Sequence, residues 1–335
     1  RTEKTSSPSF TKMFLTDHPH ELPRLIMQAR ELNKLRGTFL HGLIKHNKEG
    51  RIHAHINQIR SDSGGTVTGR FSYNHPNLQQ IPSRGQFAQD IRKIFIPEIG
   101  EYWLKADYSQ QEPRLLTHFA RLVDQPGSGE VQKAYREKDL DFHQQTAEMA
   151  GVQRSLAKTI GLGVMYGMGY HKLARELDME PQEAKTMLQD FHAKVPFMKG
   201  MLEAVMNRAN SKGVIRTLLG RKCRFDLWEP TQWGVHKALP LNQAQTEYGM
   251  AIKRAYTYKA LNRLIQGSAA DQTKKAMVDV YEELGIIPLI QVHDELDCSV
   301  KDENEGKKVK EVMETCVELE VPSKVDINIG ESWGE

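Results

Sequence analysis

Two carboxylate clusters lie far apart in this chain, each beside a short apolar run. Asp107 opens the octapeptide Asp107-Tyr108-Ser109-Gln110-Gln111-Glu112-Pro113-Arg114, and Asp294 is the middle residue of His293-Asp294-Glu295. Between them Arg154, Lys158, Leu162 and Tyr166 recur every four residues, so they share one slowly drifting face of a helix. Mg²⁺ takes oxygen ligands, binding through one or two carboxylates and completing its shell with water and substrate phosphates. In-line displacement at phosphorus is served by two such ions about 3.5–4 Å apart, one on the attacking and one on the leaving oxygen. Two cations one turn apart can neutralise a triphosphate, the arginine by forked contact and the lysine as a point charge. A ring further along the same face can stack on a base. Taken singly, either aspartate reads more simply as a surface residue at a strand end, and the cations as a solvated face. A solvated face, however, seldom continues into Leu and Tyr. The combination describes a phosphoryl-transfer site.

Such a site needs two strands that end side by side and a helix between them. The apolar run 102–106 predicts a strand ending at Asp107, and Pro113 suits the first turn of a following helix, where its missing N–H costs nothing. Residues 114–210 read as mostly helical, broken at Gly127-Ser128-Gly129. The stretch 286–300 predicts a β-hairpin, with Ile290 and Val292 on one arm, Leu296, Cys298 and Val300 on the other, and Asp294-Glu295 in the turn. Upstream, apolar spacing over 22–43 fits one or two amphipathic helices, and 51–59 alternates like a strand. An irregular stretch then carries Thr68-Gly69-Arg70-Phe71-Ser72 and Asn77-Leu78-Gln79-Gln80. Residues 213–227 turn strand-like, 228–241 look like an irregular insertion, and helices are expected at 243–266, 269–284 and 304–319. The glycines at 161, 163, 167 and 169 do not make a phosphate loop, because no strand precedes them and no Lys-Ser/Thr follows.

At 335 residues the chain can bury a sizeable core divided into two or three lobes. No apolar run approaches the roughly 18 residues of a spanning helix, and no secretory leader is visible, so no membrane association and a cytoplasmic location are expected. Cys223, Cys298 and Cys316 lie far apart without a CxxC, which favours free thiols over disulfides or a zinc site. The net charge of +3 hides an asymmetry: residues 1–60 hold 11 Lys/Arg against 5 Asp/Glu, and residues 271–335 hold 7 against 17. A basic beginning suits a polyanion and an acidic end suits a divalent metal, although a pair of solvated faces reads equally well.

In order, the octapeptide from Asp107, the run Arg154-x3-Lys158-x7-Tyr166-Gly167 and Gln291-Val292-His293-Asp294-Glu295 resemble the three polymerase motifs of family A DNA polymerases. The resemblance extends through Thr68-Gly69-Arg70 with Pro76-Asn77-Leu78-Gln79, through Asn262-x3-Gln266-Gly267, and to Gly330-x2-Trp333, covering nearly the whole chain. It implies an α+β right-hand fold with an antiparallel β-sheet palm, helical fingers and a truncated helical thumb. The implied segments are 1–49 for the base of the thumb, 50–115 and 256–335 for the palm, and 116–255 for the fingers. It implies DNA-templated addition of deoxynucleotides to a primer 3′-hydroxyl, with primer–template DNA and dNTPs as partners and two Mg²⁺ ions, which Mn²⁺ can replace.

By motif position, Asp107 and Asp294 become the catalytic metal ligands, helped by the Tyr108 carbonyl, with Glu295 nearby. Arg154, Lys158, Gln110 and His143 meet the incoming triphosphate, Lys158 also acting in catalysis. Glu112 becomes a steric gate under the sugar, Leu162 faces that sugar and Tyr166 stacks near the nascent pair. Arg70, Asn77, Gln79, Asn262 and Gln266 line the duplex minor groove, where contacts check pairing geometry without reading sequence, and His293 sits by the primer terminus. Leu162 stands where the family usually has Phe or Tyr, which should alter discrimination against dideoxynucleotides. Gln111 and Pro113 replace apolar residues, the link from His143 to Arg154 is short, and the 228–241 insertion is long. These departures point to a phage or viral lineage; a role in DNA replication, a host-cytoplasmic location and a monomeric state are further expectations. The chain is expected to begin within the thumb, leaving any exonuclease domain or processivity partner outside it. The alternatives are a single-subunit RNA polymerase relative and a catalytically inactive module that binds primer–template DNA.

Overall fold

The computed structural model describes residues 10–62, 64–83, 85, 87–138, 140–234 and 236–335. The chain divides into two compact units, one formed by Arg1–Ile56, Ser72–Phe95 and Ser332–Glu335, the other by Asn57–Phe71 and Ile96–Glu331. In the first, a helix over Glu21–Lys34 begins where the His20 imidazole accepts from the Leu22 N–H. It runs through a wider turn at Leu35–Leu40 into a last helical segment, His41–His46, so the expected amphipathic stretch is continuous. The expected strand over 51–59 is reduced to the short pieces Arg51–Ile52 and His55–Asn57. Trp333 is buried in this unit: its ring stands edge-on to Phe95 at 5.4 Å, the Arg92 guanidinium covers it at 4.1 Å, and its backbone N–H donates to the Phe95 carbonyl at 3.0 Å.

The second unit is built around a four-stranded antiparallel sheet. Its strands are β1 (Tyr102–Tyr108), β2 (Ile290–Val292), β3 (Glu295–Val300) and β4 (Val325–Gly330), in the spatial order β2-β3-β1-β4. Side chains alternate between the two faces of a strand. Leu104, Ala106 and Tyr108 of β1, Leu296, Cys298 and Val300 of β3, and Val325, Ile327 and Ile329 of β4 therefore share one face. That face packs against Ala276 and Val280 of one helix and Val309, Val312 and Met313 of another. The opposite face carries Lys105 and Asp107, Glu295 and Asp297, and Asp326 and Asn328. A single alternation thus makes the core on one face and sets Asp107, Glu295 and Asp326 on the other, where Asp297 is itself buried and accepts from the Trp103 indole N–H at 2.9 Å.

Five helices matter for the site: α1 (Gln111–Leu122), α2 (Phe142–Ala150), α3 (Arg154–Met165), α4 (Ala260–Leu284) and α5 (Glu303–Thr315). Helices α1 to α3 join a large apolar cluster that includes Leu115, Phe142, Ile160, Phe191, Phe197 and Met198. Helix α4 contributes Leu261, Leu264 and Ile265 to that cluster and Ala276 and Val280 to the sheet core, so it ties the two together.

Three expectations are corrected. The helices expected at 243–266 and 269–284 are instead a short helix Leu241–Tyr248, an extended piece Ile252–Arg254, and the single helix α4. Gly267 lies inside α4 because a Cβ there would come within 2.7 Å of the Thr217 methyl and 2.9 Å of the Arg221 guanidinium; it marks close packing, not a break. The expected irregular insertion at 228–241 forms an antiparallel sheet in which Leu227–Pro230 lies between Leu239–Pro240 and Ile252–Arg254. In the hairpin, His293 and Asp294 make the turn and Glu295 already pairs within β3.

Candidate active site

Register places three carboxylates in a row across the sheet. Asp107 lies directly opposite Glu295 of β3 on one side and Asp326 of β4 on the other. The β2–β3 turn adds a fourth: the Asp294 carbonyl accepts from the Tyr108 N–H at 3.2 Å, which sets Asp294 beside Asp107. His293 takes a left-handed conformation, φ 58°, and its carbonyl accepts from the Gln291 side-chain amide at 2.6 Å, so the turn is held from within. The Tyr108 hydroxyl is anchored in the core on the Met313 carbonyl at 2.7 Å, leaving its backbone to serve the carboxylates.

Like charges directly opposite one another in a sheet repel. Desolvation, then Asp294, Glu295 and Asp326, push the Asp107 carboxyl up to about 7. The Asp294 carboxyl is also raised, mainly by burial, with Arg70 and His293 opposing and Glu112 adding to the rise. All of these donors are hard oxygens, and the crowding is of the kind that a divalent cation relieves. Among the described residues no three His, Cys, Asp or Glu side chains converge as a closed metal shell. A two-carboxylate site completed by substrate oxygens fits Mg²⁺ better than a structural metal.

A second group of contacts borders the carboxylates. Glu112, in the first turn of α1, accepts from Arg70 at 2.7 Å through one oxygen and from the Tyr166 hydroxyl at 3.0 Å through the other. The Gln266 side chain of α4 acts on the Tyr166 hydroxyl in the opposite sense to Glu112, favouring its ionised form. Burial, and then the Glu112 charge, raise the Tyr166 phenol above its ordinary value. Tyr166 ends α3, and Leu162, half-buried one turn earlier, packs on the helical core.

At its other end α3 begins with Arg154, whose guanidinium meets the Asp141 carboxylate at 2.6 Å. Asp141 also caps α2 by accepting from the His143 and Gln144 N–H groups. Burial opposes ionisation of Asp141, but the Arg154 bond and the two backbone donors outweigh it and hold its pKa low. Lys158 is exposed, one turn along α3. His143 is almost buried, its Nδ1 has no hydrogen-bond partner among the described residues, and burial lowers its pKa, with Lys158 and Arg154 adding to the effect against Asp141. Gln110, in a left-handed conformation (φ 54°) before α1, spends both ends of its amide on the backbone at the start of α2, donating to Leu140 O and accepting from Phe142 N–H, each at 2.8 Å.

These residues follow one another in a ring. Gln110, three residues after Asp107, bonds the start of α2, and Asp141 there bonds Arg154 on α3. Helix α3 leads past Lys158 to Tyr166, Tyr166 and Arg70 both bond Glu112, and Arg70 acts on Asp294 through its charge. Asn262 lies on α4 one turn before Gln266, and His293 is exposed at the hairpin turn. Asn77 and Gln79 belong to the other compact unit, where the Asn77 side chain accepts from the Gln79 N–H at 3.1 Å.

Sequence reasoning missed three contributors. Asp326 was legible only through the alternation of the last strand, and Asp141 only as a cap before α2. Arg221 had no local signal: it bonds Asp271 at 2.9 Å, Thr68 O at 2.7 Å and Gly267 O at 2.9 Å, fixing the loop that presents Arg70. Gly69 of that loop has φ 86°, and a Cβ there would lie 2.7 Å from the Arg221 guanidinium carbon, so both conformation and space require glycine.

The family model described as DNA polymerase family A matches residues 1–335. The chain belongs to this family. The DNA-directed DNA polymerase of Pseudomonas phage M6 is 38% identical to it over 99% of the chain and 54% of the relative. The thermostable DNA polymerase I of Thermus filiformis is 35% identical over the whole chain and 39% of the relative. The POL domain of Pol1 from M. smegmatis, solved in complex with DNA primer-template and dNTP, superposes with a TM-score of 0.79 at 28% identity, covering 100% of this chain and 58% of that one. The chain of this family A member therefore spans about half or less of the curated relatives it matches. Its mixed helix-and-sheet architecture is the family's polymerase fold. Among the described residues no helix is long and apolar enough to cross a membrane.

Proposed function

We propose that this chain is the catalytic core of a DNA-templated DNA polymerase that adds deoxynucleotides to a primer 3′-hydroxyl. The observation that carries the reading is the hydrogen bond from the Tyr108 N–H to the Asp294 carbonyl, which joins two carboxylates from distant parts of the chain at one strand end. The solved relative holds primer-template and dNTP, which supports those partners here. On this reading 50–115 and 256–335 form the palm, 116–255 the fingers and 1–49 the base of the thumb.

Asp107 and Asp294, with the Tyr108 carbonyl, would hold two Mg²⁺ ions. Bound there, the ions supply positive charge to the attacking and leaving oxygens. Arg154 and Lys158 receive the triphosphate, and His143, held neutral by burial, lies in the same field. Arg154 exchanges Asp141 for phosphate at little cost, because the ion pair is about half exposed. Gln110 acts by holding the start of α2 against the strand end. Glu112, fixed from both sides by Arg70 and Tyr166, occupies the space a ribose 2′-hydroxyl would need, so deoxynucleotides are selected. Asn77, Gln79, Asn262, Gln266, Arg70 and His293 serve primer–template DNA. The phage relatives support a role in phage DNA replication in the host cytoplasm.

Primer extension by wild type and Asp294→Ala is the test. The variant should lose at least about a hundredfold in rate, the loss expected when one preorganised charge-stabilising group is removed. Equal rates would overturn the assignment. Extension with rNTPs and none with dNTPs would shift the reading to an RNA polymerase relative.

A further inference from the structure

Arg70 reaches Glu112 from an irregular stretch, 58–71, whose described residues form no helix or strand. The tip is closed on itself by the Ser61 N–H, which donates to the Gly64 carbonyl at 2.8 Å. The middle is held by Arg221, through the Thr68 carbonyl. The ends are held by Lys274 of α4. Its ammonium donates to the Gln58 carbonyl at 3.0 Å and lies 4.4 Å from the centre of the Phe71 ring. One side chain thus touches the stretch at its first residue and at its last.

Arg70 sits between two anchors. Thr68, two residues earlier, is bound to Arg221, and Phe71, the next residue, lies under Lys274. The Thr66 hydroxyl donates to the Arg70 carbonyl at 2.8 Å, which fixes the backbone between them. Asp271 and Lys274 stand three residues apart on α4, so Lys274 and the Arg221 that Asp271 holds work from one helix face. Lys274 keeps its place at a cost. It is half-buried, and burial, then the Arg221 charge, lower its pKa, with Asp271 opposing. An unconstrained lysine there would carry its charge out to water along its flexible stem. Arg70, Phe71, Lys274, Gln291 and His293 also border one void of about 10 Å³, room for a single water, which sets this group against the turn that carries Asp294.

We propose that Lys274 is a positioning residue for the sugar gate: it ties both ends of 58–71 to α4 and thereby keeps Arg70 on Glu112. The inference rests on the polymerase reading. An ammonium is a compact charge with three donors, so it serves a carbonyl and a ring face at once. Without it Phe71 lifts, Arg70 follows along the backbone, and the carboxylate loses one of its two holds.

Two measurements on the whole chain test this, and the first needs no activity. Arg60 is exposed within the stretch, and trypsin cuts there as the backbone opens. Lys274→Met should raise the rate of cleavage after Arg60 by about fivefold, the population that one hydrogen bond holds closed. Lys274→Arg, which can still donate to the carbonyl and cover the ring, should restore the slow rate. The second measurement is single-nucleotide extension with dNTP and with rNTP. Lys274→Met should lower the preference for deoxynucleotide by about threefold, and Lys274→Met/Arg70→Ala should fall no further than Arg70→Ala alone, because both act through one contact. Phe71→Leu keeps apolar bulk and removes the ring; it should show both changes in smaller measure, and it replaces Lys274→Met if that variant does not fold. Unchanged cleavage overturns the clamp. Faster cleavage with an unaltered preference, or with Lys274 and Arg70 effects that add in full, overturns the positioning role. Wild type that extends no primer, with cleavage still dependent on Lys274, removes the polymerase assignment and leaves the clamp.

Discussion

Replacing Asp107 by Asn should stabilise the metal-free protein at alkaline pH while destroying the site. In the folded chain burial and the neighbouring Asp294, Glu295 and Asp326 carboxylates push Asp107 up to about 7 from an ordinary 3.8. A folded pKa above the unfolded one means that the folded state favours the neutral acid. That stabilisation is complete below about pH 4 and is lost as pH rises through about 7. The gap sets a ceiling of about 4 kcal/mol, at about 1.4 kcal/mol per tenfold. The residue faces solvent on the open side of the sheet, so screening reduces this to about 1–2 kcal/mol. Asn keeps the size and removes the charge. In EDTA at pH 8, Asp107→Asn should therefore resist urea more strongly than wild type by about 1–2 kcal/mol, and the advantage should shrink towards zero near pH 4. Millimolar Mg²⁺ should raise the stability of wild type more than that of the variant, because only the native pair binds it well. Urea titrations from pH 4.5 to 8.5, with and without metal, read all of this. A variant no more stable than wild type at pH 8, or a difference that ignores pH, would refute the repulsion argument.

Further outcomes follow from the contacts of Glu112 and Arg221. Glu112→Ala should raise ribonucleotide incorporation relative to deoxynucleotide by about tenfold or more, a change of about 1.4 kcal/mol in barrier, measured by single-nucleotide extension; no change would remove the gate role. Arg70→Ala should give a smaller rise, since it frees one side of the same carboxylate. Arg221→Met should cost about 2–3 kcal/mol of stability in urea unfolding, below the about 3–5 kcal/mol of a fully buried broken pair, because the arginine is 36% exposed although Asp271 is only 7% exposed. The double variant Arg221→Met/Asp271→Leu should recover most of that loss, and a single-variant loss under about 0.5 kcal/mol would contradict the anchoring role.

What could be read before folding was whatever repeats locally. The apolar run before Asp107 revealed β1, the period of two in β2 and β3 revealed the hairpin and its core face, and the four-residue spacing from Arg154 to Tyr166 revealed α3. The sequence pattern suggests separate helices at 243–266 and 269–284, and a glycine such as Gly267 normally weakens a helix, yet α4 runs through it. It continues because that glycine is where the Thr217 methyl and Arg221 press closest, a tertiary fact with no local trace. The sheet formed by Leu227–Pro230, Leu239–Pro240 and Ile252–Arg254 escaped for a similar reason: its strands are too short to show a period, and their pairing spans loops.

The site shows the same division more sharply. Each member of the ring could be picked out singly, yet its partner could not, because the pairings cross the chain: Arg70 with Glu112, Glu112 with Tyr166, Tyr108 with Asp294. Those pairings change what the residues can do. A free glutamate under a sugar would swing aside at the cost of one rotamer, whereas one held at 2.7 and 3.0 Å from opposite sides must break a charged hydrogen bond before a hydroxyl fits. On the proposed reading, selectivity against ribose therefore depends on the hold that Arg70 and Tyr166 keep on Glu112 as well as on Glu112 itself, with the carboxylate the larger contributor. Tyr166 also terminates α3, the helix that carries Arg154 and Lys158. A motion of α3 that shifts Tyr166 must loosen the Glu112 bond, so on the proposed reading the gate for the sugar and the grip on the phosphates are mechanically one device.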